Sequence, residues 1–197
     1  RTDQLKDTPL PAKDETKTAL DKATKAMTEA AKALDNQKSE NAVPKQDKAI
    51  HALEQAKKEI AEKVAELEKR KDDMAKLEDA AQKLGELAKA ENKIADKAKD
   101  MTAKNDAKAN QDLAKKQDSL TPQAKDVAKN IEKAAPEAAQ KVNEGTKSME
   151  AAKKELDQNK PSPAANQAKD AAQKLEDAQK AIAKALDEMK AKQAAAG

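Results

Sequence analysis

Residues 24–38 read TKAMTEAAKALDNQK, and residues 146–160 read TKSMEAAKKELDQNK, so one phrase stands twice at an offset of 122. In each copy a Met and a Leu lie seven positions apart (Met27 and Leu34, Met149 and Leu156), with Ala30 or Ala152 between them. Alternating steps of three and four place these side chains on one stripe of a helix, which is the pattern of a packing seam. The stripe pairs a large residue with a small one, and small residues let helix axes approach to the low end of the usual range of roughly 8–10 Å.

The same seven-residue step runs through most of the chain. It appears as Leu53, Ile60, Leu67, Met74, then Leu77, Leu84, then Leu87, Ile94, Met101. It returns as Leu113, Leu120, Val127, as Val142, Met149, Leu156, and as Leu175, Ile182, Met189. The duplication is longer than the opening phrase. At the same offset Leu53 meets Leu175, Ala56 meets Ala178, Ile60 meets Ile182 and Val64 meets Leu186, with no insertion between. The repeated unit is therefore a whole helical hairpin, loop included.

Composition agrees with helices. Charged residues make up 39% of the 197, but 40 basic and 37 acidic side chains nearly cancel, so the high net charge of a disordered chain is missing. Leu, Ile, Val and Met number only 28, and the bulk of the rest is Ala, Lys, Glu and Gln, all strong helix formers. Breaks are expected at KSENAVP (38–44), at Asn105-Asp106, at Thr121-Pro122 and Pro136, and at Ser162-Pro163, where caps and prolines cluster. Helices are thus expected at about 13–37, 44–104, 106–134 with a kink near Pro122, 137–159 and 164–194. At 1.5 Å per residue the second would be roughly 90 Å long. Gly85 inside it is a candidate bend.

These segments predict an all-α chain of elongated antiparallel hairpins. A loose lead-in (1–12) precedes a first hairpin (13–70), and a second hairpin (136–197) repeats it. The expected arrangement pairs the two hairpins in an up-down-up-down four-helix bundle. Residues 71–135 then form a two-helix coiled-coil stalk, with 106–134 and 137–159 running in the same direction. An extended rod of successive hairpins is the alternative.

Chemistry-bearing patterns are few. His51 is the single histidine and there is no cysteine, so thiolate sites are excluded and His51 has no obvious co-ligand; its counterpart Gln173 marks the position as a solvated flank. Asp72-Asp73, Glu78-Asp79 and Glu176-Asp177 are adjacent on helices, where neighbours diverge and do not converge on one ligand. Lys69-Arg70-Lys71 and Lys115-Lys116 are interleaved with acids, and without aromatic platforms they point away from nucleic acid. The methionines at 27, 74, 101, 149 and 189 are read as seam residues rather than a binding groove. No apolar run approaches the roughly 20 residues that span a bilayer, so membrane insertion is not expected. Catalytic, cofactor and metal residues are accordingly expected to be none.

The recurring Met27, Ala30, Leu34, Ala42, Ala49, Leu53, Ala56, matched by Met149, Ala152, Leu156, Ala164, Ala171, Leu175, Ala178, resembles the alanine-rich helical repeats of large bacterial envelope and surface coiled-coil proteins. That resemblance implies a non-enzymatic scaffold or spacer in an exported, cell-envelope setting. ADKAKDMTAKNDAKA (95–109) is similar in composition to late embryogenesis abundant proteins, although their repeat is eleven residues and this one is seven. A stress or desiccation protectant is the alternative implied. Expected partners are another protein helix or a second copy of the chain.

Overall fold

The structure is a computed structural model that describes residues 15–102 and 106–196, so the expected lead-in at 1–12 and Asn105 lie outside the described residues. The chain is all-α, with α1 (Glu15–Asp35), α2 (Ser39–Met101), α3 (Ala107–Ile131), α4 (Pro136–Asp157) and α5 (Pro161–Ala196). It divides into two compact units, one of Arg1–Lys71 with Ala191–Gly197 and the other of Asp72–Lys190. Helix α2 contributes its first part to one unit and its second part to the other.

Both hairpin turns are built alike. The amide of Lys38 donates to the carbonyl of Ala33 (2.9 Å) and that of Gln37 to Leu34 (2.9 Å). At the same offset Lys160 donates to Glu155 (2.8 Å) and Asn159 to Leu156 (3.0 Å). These are Schellman closures, which require a left-handed residue after the helix end, and Gln37 (φ 57°) and Asn159 (φ 55°) supply it. So tight a turn needs no seven-residue loop. Helix α2 resumes at Ser39 with Pro44 inside it, and α5 resumes at Pro161 with Pro163 inside it, which moves the starts expected at Pro44 and Ser162-Pro163 upstream.

The second unit holds a four-helix bundle. One core cluster joins Leu77 and Leu84 of α2, Val127 and Ile131 of α3, Val142 and Met149 of α4, and Leu175 and Ile182 of α5. A second joins Ile94 and Ala98, Leu113, Leu156, and Ala164 with Ala168. Each helix passes from one cluster to the other, so consecutive segments alternate in direction: up-down-up-down. At Gly145 α4 lies close against α5. A Cβ there would stand 3.2 Å from the Cβ of Lys174 and 3.4 Å from the carbonyl oxygen of Ala171.

The bundle's members differ from those expected. The segment 71–135, read as a two-helix stalk, packs with α4 and α5 in the core, and the first hairpin belongs to the other unit. The reason lies at residues 132–135. Proline at 136 drives the residue before it out of the helical region, and Ala135 sits at φ −145°, ψ 72°. The chain therefore turns back on itself, and α4 runs antiparallel to α3 instead of continuing its direction. Pro122, by contrast, lies within an unbroken α3, where the Thr121 hydroxyl donates to the Gln117 carbonyl (2.8 Å). Asp106 caps α3 as expected, its carboxylate accepting from the Ala109 amide at 3.1 Å. At Gly85 the helix is also continuous. The missing side chain makes room for Gln179, whose amide donates to the Ala81 carbonyl (3.1 Å).

Candidate interaction surface

In the first hairpin alanine meets alanine. Ala19, Ala23, Ala30 and Ala33 of α1 and Ala42, Ala49, Ala52 and Ala56 of α2 are all buried, with Leu20 the one large residue buried among them. So narrow a seam leaves no width for the larger side chains flanking it. Met27 (38% exposed), Leu34 (49%), Val43 (56%), Ile50 (55%) and Val64 (43%) stand open to solvent. Among the described residues the exposed large apolar side chains all lie on this hairpin. The reading of Met27 as a seam residue is corrected: it borders the seam without being covered by it.

Helical phase places these residues together. At 100° per residue, Met27 and Leu34 lie 20–40° from Ala23 on α1, and Ile50, Val64 and Val43 lie 40–100° from Ala42 on α2. Because the helices are antiparallel, these same-sense rotations point to one side of the hairpin. The opposite side is polar. It carries grooves of about 630 and 570 Å3 lined by Lys22, Lys25, Asp47, Lys48 and His51, and by Gln55, Lys58 and Glu62. Lys45 and Glu29 reach across it at 3.9 Å.

The second copy of the pattern has a different fate. Met149 and Leu156 are fully buried, Ala172 is 1% exposed, and Leu186 and Ala165 are 9% exposed. Leu53 and Ile60 are half-buried, whereas Leu175 and Ile182 are fully buried. The sequence did carry a signal for this difference. Val43 and Ile50 are large where Ala165 and Ala172 are small, off the seam that the seven-residue steps trace.

The bundle's interior also holds polar groups that the apolar series passed over. Glu91 and Gln117 occupy seam positions between Leu87 and Ile94 and between Leu113 and Leu120, and both are fully buried. The Gln117 amide donates to Glu91 Oε1 at 2.7 Å, while Glu91 Oε2 and Gln117 Oε1 have no hydrogen-bond partner among the described residues. Burial pushes the Glu91 carboxyl up to about 7, against the pull of the Gln117 hydrogen bond. Thr146, also buried, donates its hydroxyl to the carbonyl of Val142 at 2.9 Å.

The other groups weighed from sequence do not converge. His51 is exposed in the polar groove. Asp73, Asp79 and Asp177 meet Lys76 (3.9 Å), Lys83 (2.7 Å) and Lys180 (3.2 Å) on their own helices, and Glu78 meets Lys190 at 3.9 Å. Arg70 forms an ion pair with Glu66 at 2.9 Å. Among the described residues no three His, Cys, Asp or Glu side chains gather to hold a metal ion, and no helix is long and apolar enough to cross a membrane.

A family model described as a domain of unknown function (DUF4175) matches residues 2–83, less than half of the chain, spanning the first hairpin and the start of the bundle's first segment. No curated protein and no solved structure matches the chain.

Proposed function

We propose that the protein is a non-enzymatic helical scaffold or spacer that acts by contact with other protein helices. One observation carries this reading: the bundle in one unit has a filled core, while the hairpin of the other leaves large apolar side chains in water on one side only. A surface of that kind is characteristic of protein interaction sites. Elsewhere the exterior carries ion pairs, within one helix as at Lys83–Asp79 and Arg70–Glu66 and between helices as at Lys125–Glu150, which keep long helices solvated without asking chemistry of them. The resemblance of the alanine-rich pattern to envelope coiled-coil repeats supports the same role and suggests a cell-envelope setting. Far-ultraviolet circular dichroism in dilute buffer, followed through a thermal melt, tests the reading. A strongly helical spectrum lost cooperatively is expected; a coil spectrum would overturn it.

A further inference from the structure

We propose that the open side of the first hairpin docks against the same side of a second copy of this chain, so that two first hairpins close into a four-helix interface. This rests on the scaffold reading and names its partner. The chain itself shows what covers such a face. At an offset of 122, Met149, Leu175, Ile182 and Leu186 share a core with Leu77, Leu84, Val127 and Ile131 of an antiparallel helix pair. The occupant that fits is therefore another antiparallel pair with an apolar side. The pairs in the bundle already spend theirs on one another, and the pair left open is the first hairpin. Self-pairing about a two-fold axis satisfies both faces at once.

On α1 Thr24, Thr28 and Ala31 lie outward from Met27, with Lys17 and Asp35 beside them at the two ends of the helix, and on α2 Glu54 and Lys57 border Ile50 and Val64, whereas Lys22, Lys25 and Glu29 lie toward the polar side. The Thr24 hydroxyl donates to the Leu20 carbonyl and the Thr28 hydroxyl to the Thr24 carbonyl, each at 2.9 Å. Neither hydroxyl would lose a water partner on docking without already holding another. Thr24 makes the same bond as its counterpart Thr146, which is buried in the bundle. Charges of both signs alternate along the hairpin, so two copies meet without a single-sign repulsion.

Sedimentation velocity on the full chain, from low micromolar to several hundred micromolar, tests the proposal. A reversible monomer–dimer equilibrium is expected, weakened at least about tenfold by Met27→Lys combined with Ile50→Glu, and unchanged by Lys25→Ala on the polar side. Should the double variant lose helicity, labelling of an introduced thiol decides. In a chain without cysteine, Thr24→Cys should react more slowly with a maleimide as concentration rises, and Lys25→Cys should not. A chain that stays monomeric throughout, a dimer indifferent to the double variant, or equal labelling of the two thiols overturns the proposal. A helical, cooperatively melting monomer would defeat the docking and leave the scaffold reading standing; a coil would defeat the scaffold reading itself.

Discussion

Met27 and Met149 hold the same place in two copies of one phrase, yet Met27 is 38% exposed and Met149 has no contact with water. Their substitutions should separate accordingly. Met149→Lys brings a charge into a filled core and should destabilise by more than about 3 kcal/mol. Met27→Lys should change the melting free energy of the dilute chain by less than about 0.5 kcal/mol, as should Lys147→Ala on the solvent face. Thermal melts of the three variants check this. Glu91 makes a second residue-scale case, through pH. Its carboxyl titrates near 4.5 when unfolded and is pushed up to about 7 in the fold. Below pH 4.5 it is protonated in both states and costs nothing. As pH rises toward 7 the unfolded chain gives up the proton first, so stability falls, by about 3.5 kcal/mol in all, and levels off above 7. Glu91→Gln should remove that decline, seen as a variant-minus-parent difference in denaturant midpoint that grows from pH 4.5 to 7 and then stays constant.

At the scale of the helix, the two Schellman turns differ in one telling residue. Asparagine tolerates the left-handed region better than glutamine, and Gln37 adopts it without that advantage. Gln37→Gly should stabilise the first hairpin by about 0.5–1 kcal/mol, whereas Asn159→Gly should gain less, both readable by chemical denaturation. Helix α2 provides a further contrast within one continuous element. Its first part rests on an alanine seam and its second part on Leu77, Leu84, Leu87 and Ile94 of the bundle. Helical stability in proteins comes chiefly from packing. Amide hydrogen exchange should therefore be faster between 45 and 70 than between 77 and 98, although no helix end separates the two stretches. Uniform protection along α2 would contradict that picture.

For the whole molecule, the all-helical class and the approximate helix positions were legible in the sequence, because caps, prolines and seven-residue steps are local signals. Which hairpins share a core was not. The break at 132–135 reads equally well as a continuation or as a reversal, and the choice depends on where Ile131, Val142 and Leu175 find cover. The open side of the first hairpin was half legible: Ile50 and Val43 could be seen to depart from Ala172 and Ala165, but their exposure is a fact of packing. Glu91 and Gln117 escaped notice because a search for apolar steps skips the polar member of a seam. The prevalence of alanine in those seams carries over to thermodynamics. A fold that buries so much alanine and no aromatic ring exposes little apolar surface when it melts. Its heat-capacity change on unfolding, by scanning calorimetry, should fall below the usual 12–15 cal/mol/K per residue (about 1.2–1.5 kcal/mol/K per hundred residues). A small heat-capacity change flattens the stability curve, so the protein should hold its fold almost equally well in the cold and at moderate warmth.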